Sequence, residues 1–468
     1  MSRSLNRASD PVRFVLVAGL VGIIALFVAY VAVDRLAGRS TSQASTTQID
    51  STTHPVLTVR RAPTTLSFTS RLGSVRRAMA NVTSRLPSGA CFRVDWMGET
   101  LSSVKSDTPF IPASASKILT AAVALEVLGP TYTFETQVFS DPLSSTGSVA
   151  NLYLVGGGDP VLVRSDYPAT EKYPTINPTA IEGLVNSIVA AGVSQVTQAI
   201  NVIDNRYDQI RYLDIWPSSF YGVEAGPLGA LMVNDSTVVD QPGRQDDPAI
   251  ASGSELSVLL ARQGIVSSSS IQRIDSVPAT ATKIASVTSA PLTAIIEEML
   301  VNSDNNTSEL LLKEMGFAKK GSGTTQSGLE VVSETIAKWG LGSTPTIVDG
   351  SGLSSSNSMT CDVFASLLEQ NKDVLPPLMS VAGETGTLKT FFVDSPMEGR
   401  MVAKTGTLTG VKSLVGYLPL DEEEDVKFAL LMNSSGIDNQ NSFRPIWNSL
   451  AEALNRASAT PRPEDLIP

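Results

Sequence analysis

The sequence predicts an α+β fold in which helices pack on an antiparallel sheet. Two observations carry this expectation. Residues 401–407, 412–418 and 426–432 read as consecutive antiparallel strands, parted by a turn at Gly410 and a loop at 419–425. Helical periodicity fills 292–302, 308–315, 329–339 and 361–369 ahead of them, and a last helix follows at 443–454. A third observation stands apart from the fold. The 20-residue run 14–33 carries no charge, which is long enough to span a bilayer at about 1.5 Å per helical residue.

Taken in order, residues 1–13 hold Arg3, Arg7 and Arg13 against Asp10. The positive-inside rule makes them a cytoplasmic tail, 14–33 a membrane anchor, and the rest extracytoplasmic. A cleaved signal peptide is the rival reading. Its apolar core is normally shorter, and no small-x-small site directly follows the run. Either reading exports the remainder of the chain. Residues 34–75 read as a linker: nine of the fifteen residues 40–54 are Ser or Thr, too polar to bury a core. The basic, mixed segment 60–77 leads into the folded part as surface. A strand is predicted at 91–97 and a helix at 116–128, stopped by Gly129-Pro130. Strands follow at 149–155 and 198–203 with a helix, 180–191, between them, then a helix at 256–263. Residues 457–468 form a loose, Pro-rich tail.

At 468 residues the chain has room for two or three folded units. Its net charge is −11, with 42% hydrophobic and 17% charged residues. Residues 1–39 contribute +3, so the exported body is acidic, near −14. That balance argues against nucleic acid as a partner. His54 is the only histidine and lies in the linker, which excludes a Ser-His-Asp triad. One histidine and two cysteines also exclude a Cys/His zinc site, so no metal or cofactor is expected. Cys91 and Cys361 are either a disulfide, allowed outside the cytoplasm, or two buried thiols.

Three short strings carry the chemistry: Ser114-Ala115-Ser116-Lys117, Ser303-Asp304-Asn305 and Lys404-Thr405-Gly406. The order Ser-x-x-Lys, Ser-x-Asn, Lys-Thr-Gly is that of a serine acyl-transfer site using lysine in place of histidine. Each string is weak alone. Ser102-Ser103-Val104-Lys105, read as surface loop, and Ser355-Ser356-Asn357 are second instances of the first two. Context selects Ser114, which opens a strongly apolar helix and has Lys117 one turn on along the same face. Ser114 is the candidate nucleophile, and Lys117 the base that takes its proton. Lys117 serves only if some of it is neutral. Burial and a second cation, Lys404, both push its pKa down. Two ammonium groups ~4 Å apart repel by about 4 kcal/mol at an effective dielectric near 20. Ser303 is placed to relay a proton to the leaving amine, and Asn305 to hold a substrate amide. Lys404 and Thr405 are placed to grip a terminal carboxylate. The Thr407 N–H joins that of Ser114 as an oxyanion hole on a strand along which a peptide can pair.

These strings, with Gly157-Gly158-Asp159-Pro160 and Asp349-Gly350-Ser351-Gly352-Leu353-Ser354, resemble the serine D-alanyl-D-alanine carboxypeptidase/endopeptidases, the class C low-molecular-mass penicillin-binding proteins. The resemblance covers about residues 60–454. It implies a penicillin-binding/β-lactamase-like transpeptidase fold with a domain inserted between the first and second strings. The 189 positions between Ser114 and Ser303 are themselves too long for a loop. The expected division is a catalytic domain from 76–140 and 283–456 around an inserted domain at 141–282. The implied partners are peptidoglycan stem peptides, with β-lactams as covalent inhibitors of Ser114. Asp204 matches the family position that meets the amino end of a diaminopimelate side chain. In one departure, Ser355 and Ser358 stand in the stretch where the family usually carries arginine. The alternative functions are a β-lactamase or D-stereospecific esterase with the same nucleophile, and a non-catalytic wall-binding scaffold.

Overall fold

In the computed structural model, the described residues are 62–458 apart from 239–240, 242, 268–269, 342–343 and 421–424. The predicted tail, membrane run and most of the linker, with His54, lie outside them, as do the last ten residues. Among the described residues, no helix is long and apolar enough to cross a membrane.

The chain enters through helix α1 (Ala62–Thr83), strands β1 (Ala90–Trp96) and β2 (Glu99–Val104), a single 3₁₀ turn (Ala113–Ser116) and helix α2 (Lys117–Leu128). It then builds the insertion: β3 (Glu135–Ser140), β4 (Ser148–Val155), β5 (Leu162–Val163), β6 (Thr179–Ala180), α3 (Glu182–Ala190), β7 (Gln195–Ile203), α4 (Pro248–Arg262), β8 (Val266–Ser267), β9 (Ile271–Arg273) and β10 (Thr282–Thr288). It returns through α5 (Leu292–Val301), α6 (Asn305–Lys320), α7 (Thr325–Trp339), α8 (Cys361–Gln370), β11 (Ser380–Val381), β12 (Val402–Leu408), β13 (Val411–Leu418), β14 (Val426–Asn433) and α9 (Gln440–Asn455).

The main sheet has the order β11-β12-β13-β14-β1-β2, and every pairing in it is antiparallel. Strands β13 and β14 are buried almost throughout, because helices cover both faces. On one face Val415, Tyr417, Ala429 and Leu431 pack with α2 and α5–α8. On the other, Leu414, Phe428, Leu430 and Met432 pack with α1 and α9. The period of two along each strand thus sorts side chains between two cores, not between core and water. Side-chain caps start several helices: Asp304 on α6, Thr324 on α7 and Thr360 on α8 each accept a backbone N–H two or three residues on, worth about 1 kcal/mol apiece.

The insertion holds a second sheet, β10-β3-β4-β7-β8, with β9 also on β7. It is mixed. β3 joins β10 and β4 antiparallel, whereas β7 runs parallel to β4, β8 and β9, as helices α3 and α4 require when they connect successive strands.

Three sequence expectations shift. Part of the expected linker is helix: α1 starts at Ala62 and buries Ser67, Arg71, Val75, Met79 and Val82, a stripe at helical spacing. Arg71 lies over the Trp96 ring at 5.4 Å and donates to the Ala457 carbonyl. The insertion is wider than 141–282, because β3 and β10 pair with each other and close it. Ser102 and Ser103 lie on edge strand β2, not in a loop.

Cys91 and Cys361 form a disulfide between β1 and the first residue of α8. It closes a 270-residue separation, so it removes much entropy from the unfolded chain. Replacing both cysteines by serine is expected to lower the unfolding free energy by about 2–5 kcal/mol. Urea denaturation checks this, and an unchanged midpoint would contradict it.

Candidate active site

The first two strings meet where the 3₁₀ turn, α2 and the start of α6 converge. Lys117 Nζ donates to Ser114 Oγ at 3.2 Å, to Asn305 Oδ1 at 2.7 Å and to the Ser351 carbonyl at 2.7 Å. The third string supplies a parallel pair: Lys404 Nζ donates to Ser303 Oγ at 2.7 Å and to the Thr405 carbonyl at 2.9 Å. Both lysines are fully buried, and every one of these acceptors is uncharged.

Burial sets the electrostatics. It pulls the Lys117 pKa down to about 8, while Asp304, Glu309, Asp349 and Glu224 pull the other way from a distance. Lys404 falls well below the ordinary lysine range, again through burial first, then repulsion from Lys117 and Lys412. The sequence expectation gives burial and Lys404 together as the causes that depress Lys117. In the structure, burial is the leading cause for both, and the repulsion between the amines falls on Lys404.

The carboxylates stand one layer back and hold backbone. Glu309 accepts the Gly350 and Ser351 N–H groups, and its pKa is raised to about 7 by burial and by Asp349. Asp349 accepts from Gly352 N, Ser354 N, Asn357 Nδ2 and Trp216 Nε1. Together they fix the loop whose Ser351 carbonyl holds Lys117. Asn357, from the second Ser-x-Asn string, is a buried brace of this loop.

Strand β12 faces the nucleophile closely. A Cβ at Gly406 would lie 2.4 Å from the Pro112 carbonyl and 3.1 Å from Ala115 N, so only glycine lets the strand meet the Ser114 turn. The β12–β13 register closes on Leu408↔Val411 across a two-residue turn. Alternation of hydrogen-bonded and free pairs then directs the backbone N–H and C=O of Thr405 and Thr407 away from β13. The Thr405 carbonyl accordingly accepts from the Lys404 side chain. On that side β11 covers only Val402 and Ala403, leaving the edge from Lys404 onward open. Thr405 Oγ1 bonds Thr387 Oγ1 at 2.9 Å.

Two residues adopt left-handed backbone beside the reacting groups: Ala113 at φ 49° and Ser303 at φ 63°. Such conformations cost of order 1 kcal/mol or more for non-glycine residues. The neighbouring structure holds them. Ser380 Oγ bonds the Val301 carbonyl just before Ser303, and Asp304 caps α6 just after it.

The structure places Ser114, Lys117 and Asn305 in one hydrogen-bonded cluster and Ser303 with Lys404 in a second, with Thr405 and Thr407 on the strand that carries Lys404. Sequence reasoning missed Thr387, Glu309 and the Ser351 carbonyl. It also missed the insertion's reach into the site, where Asn305 Nδ2 donates to the Glu224 carbonyl at 2.7 Å. Asp204 lies after β7, 3% exposed. Arg211 pairs with one of its oxygens at 2.9 Å and Arg273 with the other. Its carboxylate is therefore engaged by guanidinium groups, not presented free to an ammonium group.

Fold and site together define a serine acyl-transfer enzyme of the penicillin-binding type. The chain belongs to the D-Ala-D-Ala carboxypeptidase 3 (S13) family, whose model matches residues 95–245 and 237–453. It is 27% identical over 422 residues to a D-alanyl-D-alanine carboxypeptidase of an Actinomadura species, covering 72% of this chain and 76% of the relative. It is 29% identical over 371 residues to a carboxypeptidase of Mycobacterium tuberculosis, covering 75% and 77%. The crystal structure of penicillin binding protein 4 from Haemophilus influenzae superposes with a TM-score of 0.66 at 19% identity, covering 80% of this chain and 98% of that one. That likeness shows the shared fold.

Replacing Gly406 by alanine is expected to push β12 off the Ser114 turn and slow acylation by a labelled penicillin on the order of 100-fold. Wild-type labelling by Gly406→Ala would contradict the close approach.

Proposed function

We propose that the protein hydrolyses D-Ala-D-Ala bonds of peptidoglycan stem peptides through an acyl-enzyme on Ser114, and that β-lactams acylate the same oxygen. The observation that carries this reading is the Lys117–Ser114 hydrogen bond beside the Lys404–Ser303 bond. A lysine with a pKa of about 8 is neutral for about a tenth of the time at pH 7, which supplies a base within reach of the hydroxyl. The peptide lies along the open edge of β12 by strand addition. The N–H groups of Ser114 and Thr407 receive the oxyanion. Among the described residues Lys404 meets no counter-ion, so a substrate's terminal carboxylate brings the charge it lacks, with Thr405 as the second contact. Binding that carboxylate favours the charged form of Lys404. Lys404 donates to Ser303 Oγ, which leaves the Ser303 hydroxyl hydrogen for the leaving amine. Asn305, anchored by Lys117 and the Glu224 carbonyl, holds a substrate amide.

A solved complex of the Haemophilus protein with a β-lactam, at 21% identity, accords with acylation by such compounds. For location, we infer a membrane-tethered enzyme with its catalytic part outside the cytoplasm. The uncharged run 14–33, the arginines before it and the disulfide support this reading.

Mass spectrometry of digested muropeptides is expected to show loss of terminal D-Ala, or of D,D cross-links, with wild type and none with Ser114→Ala. Labelled penicillin is expected to mark wild type and not the variant. Labelling that survives would refute the nucleophile. A rapidly released penicilloate would instead mark a β-lactamase. Penicillin acylation is also expected to rise with pH and level off above about 8, as Lys117 loses its proton. A flat profile between about pH 6 and 9 would remove Lys117 as the base.

A further inference from the structure

A third buried lysine lies beside the site, on the other face of the sheet. Lys412 stands directly across from Thr407 in the β12–β13 register, at a position without ladder hydrogen bonds, where side chains of a pair come closest. Its Nζ donates to Thr407 Oγ1 at 2.8 Å. Three rings enclose it: the ammonium lies 5.6 Å from the Phe391 centroid, 4.3 Å from Phe443 and 5.0 Å from Trp447. These rings also pack on one another, so the cage is a built cluster. Lys412 is 6% exposed.

A buried lysine is costly. The side chain loses rotamer freedom, and the ammonium loses water. The rings return part of this through their negative faces. An apolar side chain would fill the same space without the loss. The hydroxyl of Thr407 is its recorded hydrogen-bond acceptor, and Thr407 is the residue whose N–H points out of the open edge toward the nucleophile. Asp438 acts to hold Lys412 protonated and itself braces the β12–β13 turn by accepting from Gly410 N at 2.9 Å.

We propose that Lys412 is a positioning residue of the acyl-transfer site: from its aromatic cage it grips Thr407 and fixes the strand segment that receives the oxyanion. This rests on the assignment of Ser114 and Thr407 given above. The cage sets where the ammonium sits, the ammonium sets the Thr407 side chain, and the side chain sets the backbone one bond away. The consequence falls on the rate of acylation, not on prior binding, because the carboxylate grip lies at Lys404 and Thr405.

Stopped-flow acylation by a chromogenic β-lactam over a range of concentrations separates the binding constant from the rate constant. Lys412→Met is expected to lower the acylation rate constant about 10- to 100-fold, with the binding constant unchanged. Thr407→Val keeps the backbone N–H and removes the acceptor, and is expected to lose a similar factor. The double variant is expected to be no slower than the worse single variant. Lys412→Arg, which keeps a caged donor, is expected to recover part of the rate. Wild-type acylation by Lys412→Met, or losses that multiply in the double variant, would overturn the proposal. If Lys412→Met does not fold, Thr407→Val carries the test, and a wild-type rate constant there overturns it. Failure of wild type to label at Ser114 would sink the acyl-transfer reading itself, a result distinct from any of these.

Discussion

Two amines are buried together with no carboxylate among the described residues in contact with either, and much of the site follows from that constraint. An ammonium group taken out of water costs several kcal/mol unless it is paired. Here Lys117 and Lys404 meet only hydroxyl, amide and carbonyl oxygens. The protein supplies five such acceptors but withholds full counter-charge, so both groups titrate far below free lysine. The acids that would neutralise them are nearby and otherwise occupied. Glu309 through Oε1 and Asp349 through both oxygens accept from the backbone of the Gly350–Ser354 loop, and Asp304 commits one of its own to the helix cap. Moving any of these carboxylates one layer inward would turn a base into an ion pair.

The second constraint is steric. A strand and a 3₁₀ turn approach until only a hydrogen fits between them at Gly406. Packed interiors do not yield by fractions of an ångström without cost, so this contact converts the position of β12 into the position of Ser114. Because β11 ends after two pairs, the same strand keeps unpaired backbone groups along its outer side. The sheet is in effect one strand short where the chemistry occurs.

Much of this was legible in the sequence. The three strings pointed to Ser114, both amines, Ser303 and Asn305, because lysine beside serine at fixed spacing has few structural uses. The β12–β14 meander was legible because its strands are apolar runs between clear turns. Other parts left no such mark. Helix α1 hides its stripe behind Ser67 and Arg71, which count as polar although both are buried. Strand β2 buries only Leu101, so its Ser-Ser-Val reads as loop. Main-chain acceptors such as the Ser351 and Glu224 carbonyls have no residue signature at all. Asp204 was found by pattern, but its two arginine partners, one of them 69 residues away in sequence, appear only when β7 and β9 are side by side.

The Cys91–Cys361 bridge and the β1–β14 pairing have a bearing on how the molecule is made. Synthesis proceeds from the amino end, and β1 has no inner neighbour until residues 426–433 exist, since Ala90 pairs with Met432. The insertion, by contrast, is one uninterrupted stretch whose edges, β3 and β10, pair with each other. It can complete while β1, paired with β2, still lacks its neighbour on the other side. Thiol oxidation therefore seals a late event, joining the two halves of a discontinuous body around a part already assembled.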